Sequence, residues 1–104
     1  MSEQVQELQE AIRKLHGVDS THRESVPVKE TFQGKTVWDG IVEVFDLHGH
    51  PKTHRAYAWW HYGDGDDKRY VTVLHIPPAI SPLTAVQTAI VQEYRNRATS
   101  EAQA

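Results

Sequence analysis

Lys35 to Pro78 constrains this chain more than any other stretch. It reads as an antiparallel strand meander, and both faces of that meander carry large apolar side chains. Thr36 to Leu47 is rich in Val, Ile, Trp and Phe, the residues that fit a pleated surface. His48-Gly49-His50-Pro51 breaks it, because Gly and Pro punctuate strands. Thr53 to Tyr62 forms the next strand. Gly63-Asp64-Gly65-Asp66-Asp67 carries the Asp-Gly pair that hairpins prefer. Arg69 to Ile76 forms the third strand, and Pro77-Pro78 stops it.

Side chains alternate across a strand, so hairpin register sorts them into two sets. One face holds Trp38, Val42, Val44, Tyr57, Trp59, Val71 and Val73. The other holds Ile41, Phe45, Ala56, Ala58, Trp60, Tyr70, Leu74 and Ile76. A half-solvated antiparallel sheet shows one polar face, and neither set is polar. Three arrangements answer this. Two helices cover one face while the other meets a partner; the helices split and cover both; or the sheet curls around a small ligand. Gly40 marks a bulge or a close backbone approach, and a bulge there would exchange the two sets.

Two helices flank the meander. Val5, Leu8, Ile12 and Leu15 recur at three and four residues, which predicts a helix over Glu3 to His16 with one apolar stripe. Ser2 is its cap and Gly17 its stop. Val18 to Ser25 is polar and reads as a loop. Val26 to Phe32 alternates weakly around Pro27, which fits an edge strand or extended arm. Gln33-Gly34-Lys35 is a turn. Ser81 and Pro82 begin the last helix, with Leu83, Val86, Ile90 and Tyr94 on its inner face and Ala85 and Ala89 beside them. Arg95 and Arg97 complement its C-terminal end. Residues 98–104 form a small, polar, flexible tail.

The expected fold is α+β in two layers, α-β-β-β-α. A three- or four-stranded antiparallel meander carries both terminal helices on one face, in a single domain over residues 1–97.

Composition narrows the function. Net charge is −3, which argues against phosphate-driven nucleic-acid binding. There is no cysteine, so disulfides, thiolate catalysis and Cys-ligated metals are excluded. The N-terminus is too polar for a secretory signal, and no apolar run reaches the ~20 residues that span a bilayer. A small cytoplasmic protein of bacterial type is the expectation, and no cofactor is implied.

No motif of high specificity for catalysis appears. Glu43 with His54 is the candidate acid–base pair, a carboxylate orienting an imidazole; a structural hydrogen bond is the alternative. His48 and His50 are the candidate metal ligands, since a His-x-His pair binds a divalent ion when both rings converge. Arg55, Arg69, His61 and His75 form a candidate cationic rim around Tyr57 and Trp59, able to grip a carboxylate or phosphate. The same residues suit the rim of a protein interface. Asp64, Asp66 and Asp67 lack the spacing of a calcium loop. The element order is similar to that of double-stranded-RNA-binding domains, which grip phosphates through a Lys-rich start to the second helix; Ser81-Pro82-Leu83-Thr84 has no Lys. The function this sequence points to is a homodimeric or protein–protein interaction module using an aromatic sheet face. Trp38, Tyr57 and Trp59 act if one face is open, and Trp60, Tyr70, Phe45 and Ile41 if the other is. A small ligand-binding domain or enzyme is the alternative.

Overall fold

Six elements follow one another along the chain: α1 (Glu3–His16), β1 (Asp19–Phe32), β2 (Lys35–His48), β3 (Arg55–Tyr62), β4 (Lys68–Leu74) and α2 (Pro82–Gln103). The computed structural model describes residues 3–62 and 68–103, with side chains described over 3–61 and 68–92. The expected Ser2 cap, the turn over 63–67 and the side chains of Tyr94, Arg95 and Arg97 lie outside the described residues. The four strands form one antiparallel sheet in the order β1-β2-β3-β4. The α+β meander with a helix at each end is therefore the fold.

Local chemistry sets the element boundaries. Gly17 ends α1 at φ 73°, and its N–H donates to the Arg13 carbonyl at 2.8 Å, a left-handed cap that glycine adopts without a Cβ penalty. Gln33 and Gly34 both have positive φ, 53° and 78°, which makes a two-residue turn whose twist matches its strands. At the start of α2 the Ser81 hydroxyl accepts from the Thr84 N–H at 3.2 Å. The Thr84 hydroxyl in turn accepts from the Ser81 N–H at 2.9 Å. This reciprocal cap satisfies donors the helix leaves open. The helix then continues to Gln103, through most of the expected tail.

The stretch expected as a loop is a strand. β1 begins at Asp19 and pairs with β2 along its whole length. Its polar residues find cross-strand partners: Thr21 Oγ1 meets His48 Nε2 at 2.6 Å, Arg23 donates to Asp46 Oδ2 at 3.2 Å, and Ser25 donates to Glu43 Oε2 at 2.9 Å. Such pairs stabilise a sheet as apolar pairs do, so a polar sequence holds strand conformation here. Pro27 lies on this edge strand, where its missing N–H costs no central ladder bond.

The two helices do not share a face, and the two-layer arrangement gives way to three layers. Val5, Leu8 and Ile12 of α1 pack with Phe45, Leu47, Ala56 and Ala58. Ala85 and Val86 of α2 pack with Val28, Val42, Val44, Tyr57 and Trp59. These sets alternate along β2 and β3, so α1 and α2 lie on opposite sides. A sheet apolar on both faces hides both only when each receives a helix. The aromatic face expected to stay open is closed: Tyr57 and Trp59 are 1% and 3% exposed, and Phe45 is fully buried.

Both helical stripes differ in detail from the sequence reading. Leu15 is 62% exposed, while His16 makes the contact from that turn, to Thr72. In α2 the buried pair is Ala85 and Val86, and Leu83 points outward. Small Ala85 and Ala89 let the helix approach the bulky layer of Tyr57, Trp59 and Trp38.

The sheet is also less continuous than hairpin register suggests. β2 and β3 pair only over Glu43–Asp46 with Arg55–Ala58. Beyond that the two hairpins diverge, and the Trp38 and Trp59 rings span the gap edge-on with centroids 5.7 Å apart. Gly40 is no bulge. A Cβ there would lie 3.1 Å from Cη2 of Trp38, so the glycine seats the indole. The register shifts fall instead at His22/Glu24 and Glu30/Thr31, and Trp38 keeps the face assigned to it.

Candidate functional site

The polar candidates separate into distinct clusters. Arg55 and His75 are neighbours, with the His75 N–H on the Arg55 carbonyl at 3.0 Å. Nδ1 of His75 and the Tyr57 hydroxyl are hydrogen-bonded at 2.6 Å. Burial pushes the Tyr57 hydroxyl above the usual phenol range, and the Arg55 guanidinium offsets part of that shift. Nε of Arg55 is buried without a hydrogen-bond partner, 4.0 Å from Asp46 Oδ1. His61 and Arg69 face each other across β3 and β4, but at the far end of the strand. Six residues of strand separate Arg55 from His61, about 20 Å at strand rise. The four residues therefore do not form one rim.

Glu43 and His54 do not meet. His54 is exposed in the turn, and its carbonyl accepts from the Leu47 N–H at 2.8 Å. The imidazole beside Glu43 belongs to His22, Nε2 to Oε2 3.3 Å, with Ser25 Oγ 3.5 Å from the same nitrogen. Reading Val18 to Ser25 as a loop hid this residue; pairing the strand back to Asp19 would have found it. The cluster is not a nucleophilic triad. Serine and carboxylate converge on one ring nitrogen, whereas a relay needs them on opposite nitrogens.

His48 and His50 part company. His48 bonds to Thr21. Nδ1 of His50 accepts from the backbone N–H groups of Lys52 and Thr53 at 3.1 and 3.4 Å, which fixes the turn. The His50 ring stands edge-on to His16 with centroids 6.3 Å apart. Burial, and then the neighbouring His50, hold the His16 imidazole below its usual range. Among the described residues no group of three or more His, Asp or Glu is placed to hold a metal ion.

Trp60 and Tyr70 lie on the α1 side. The Lys68 ammonium sits 4.5 Å from the Trp60 ring centroid and 2.5 Å from Glu7 Oε2. Tyr70 donates to the same carboxylate oxygen at 3.1 Å. Hydrogen bonds from Lys68 and Tyr70 hold the Glu7 carboxyl below the usual range. These contacts fasten α1 to β4. A surface groove of ≈ 360 Å³ runs between α1 and the start of β1. Gln9 and the Arg13–Asp19 ion pair line it, so it lacks the apolar body of a ligand pocket.

Beside Leu15 on α1 and Tyr70 on β4, exposed large apolar side chains among the described residues gather in two groups. Phe32, Val37 and Ile41 project from the β1–β2 hairpin, 65%, 49% and 52% exposed, among exposed Lys29, Lys35 and Asp39. Ile76, Ile80, Leu83 and Val91 project from the connection into α2 and from its outer flank, between 38% and 57% exposed. The second set has a property the first lacks: Ile76 to Gln92 contains no charged residue and no histidine in 17 positions. In a chain with 24% charged residues that run was a legible signal. Hydrophobic periodicity placed Leu83 of that run on the inner helix face.

No helix among the described residues is long and apolar enough to cross a membrane. No protein-family model matches the chain, and neither does a curated protein or a solved structure.

Proposed function

We propose that this domain is a protein–protein interaction module that works through the charge-free surface of the β4–α2 connection and the outer flank of α2. The observation that carries the reading is the exposure of Ile76, Ile80, Leu83 and Val91 within 17 uncharged residues. Contiguous exposed apolar surface marks interaction sites, and depletion of charge marks the core of an interface. The polar clusters support a binding role over catalysis. His22 with Glu43, Tyr57 with His75 and His50 with its turn each engage neighbouring groups that hold strands and turns together.

Affinity capture with the tagged full-length chain from extract of its native host tests this. The wild type retains a protein, either its own untagged copy or another chain, and Leu83→Asp loses it while keeping the wild-type circular dichroism spectrum. Failure to retain either would sink the reading.

A further inference from the structure

We infer that the groove between α1 and the start of β1 is a peptide site, where a polar polypeptide segment adds as a further strand to the free edge of β1. This edge is the opposite side of the sheet from β4, so the site is separate from the surface proposed above and does not depend on it.

The ladder sets the direction of the backbone groups. Leu47 donates its N–H to the His54 carbonyl at 2.8 Å, so Leu47 turns its hydrogen-bonding groups toward β3. Ser20 stands opposite Leu47, and such a pair in an antiparallel ladder exchanges no bonds. The Ser20 N–H and C=O therefore point away from β2, to the side of β1 where the sheet has no further strand. Gln9 shows the same direction: its Nε2 donates to the Ser20 carbonyl from α1 at 3.0 Å. His22, two residues on and opposite Phe45, repeats the geometry.

An open edge is a template for another strand, and proline blunts it. Pro27 stands opposite Ile41, at the same outward kind of position, and presents no N–H there. An added strand therefore runs beside Ser20 and His22 and stops before Pro27. That stretch is the one α1 flanks. The groove of ≈ 360 Å³ has Gln6, Gln9, Glu10 and Arg13 of α1 on one side and Asp19 and Ser20 of β1 on the other. A peptide that adds to such an edge takes its affinity from main-chain bonds and its specificity from the side chains beside it. It does not need the apolar body that a small ligand requires.

The lining states the chemistry of the occupant. The Ser20 hydroxyl is buried without a hydrogen-bond partner, an exception that calls for a donor or acceptor to complete it. Gln6 and Gln9 add two amides, while Arg13 and Asp19 already pair with each other. These groups suit a hydroxyl or amide side chain (Ser, Thr, Asn or Gln) at the peptide residue facing α1. They give an apolar side chain nothing to bury against. Gln9 holds the Ser20 carbonyl in the free protein, and the N–H of the incoming strand takes its place.

A displayed octapeptide library, selected against the immobilised full-length chain, tests the inference. The selected peptides, resynthesised with acetyl and amide ends, carry Ser, Thr, Asn or Gln at one fixed position. They shift the amide signals of Ser20 and His22. Hydrogen exchange at these two amides is fast in the free protein and slows by roughly tenfold or more in the complex, which side-chain contact alone would not produce. Ser20→Pro removes the outward N–H without touching the ladder to β2, as Pro27 already does, and weakens binding by about tenfold or more. Ser20→Ala keeps that N–H and binds more tightly than Ser20→Pro. Should Ser20→Pro fail to fold, exchange in the wild type decides alone. A library that yields no binder, a binder that leaves both amides unprotected, or a folded Ser20→Pro variant with wild-type affinity overturns the inference. Protection of the same amides by rising protein concentration, with no peptide added, puts a second copy on this edge and overturns the assignment to a separate peptide.

Discussion

A sheet sandwiched between its two helices has two cores that share a backbone and little else, and this has an energetic consequence. Ile12 of α1 is fully buried with Phe45 and Ala56 on one side; Val86 of α2 is fully buried with Tyr57 and Trp59 on the other. Ile12→Val deletes one methylene, which costs about 0.5–1.5 kcal/mol. Val86→Ala deletes two methyl-sized groups at ~0.8 kcal/mol each, and the cavity raises the cost to roughly 2–3 kcal/mol. The pair together removes about 2.5–4.5 kcal/mol from a domain whose stability lies in the range of ~5–15 kcal/mol, so the double variant still folds. Residues without shared neighbours add within about 0.5 kcal/mol. Urea unfolding of the wild type, both single variants and the double variant gives the coupling directly, provided the slope is unchanged. A coupling energy of about 1 kcal/mol or more would show a shared core and would refute the placement of the helices on opposite faces.

Three further predictions concern the polar clusters and the indole seat. Tyr57→Phe leaves His75 Nδ1 without its 2.6 Å partner and lowers stability by about 1–2 kcal/mol in urea unfolding; an unchanged midpoint would show that bond to be idle. His16 is depressed in the folded state, so below the ordinary imidazole pKa of about 6.5 the unfolded chain binds more protons, and stability rises with pH through that window. The melting temperature therefore falls as pH drops from neutrality into that window, less steeply in His16→Gln; equal slopes for the two proteins would remove His16 as the cause. Gly40→Ala puts a Cβ 3.1 Å from the Trp38 ring, displaces the indole from Trp59 and changes the near-ultraviolet circular dichroism of the pair. An identical spectrum would mean the ring does not rest on Gly40.

The meander was legible because its strands alternate cleanly between turn residues that permit one conformation each. The face assignments held as well: Trp38, Val42, Val44, Tyr57 and Trp59 share a side in the structure. Periodicity says which residues face the same way, and it does not say which helix meets them. That choice depends on tertiary fit, here on Ala85 and Ala89 admitting the aromatic layer. The first half of β1 was hidden for a different reason. Thr21, Arg23 and Ser25 have no apolar signal, and their strand conformation depends on His48, Asp46 and Glu43 of β2, which are distant in sequence. The loss of Glu43's true partner, His22, followed from that. Leu83 was misplaced because an aliphatic residue on a helix counts as core in any pattern, although the absence of charge from Ile76 to Gln92 distinguishes that surface from a solvated flank.

The location of the contact surface is tested most directly by amide chemical shifts followed as the captured partner, whether a second copy or another chain, is titrated into the labelled protein. The expected shifts cluster in Ile76 to Val91 and spare Phe32, Val37, Ile41 and Tyr70. Movement confined to the β1–β2 hairpin and the β4 aromatics, with Ile76 to Val91 static, would contradict it.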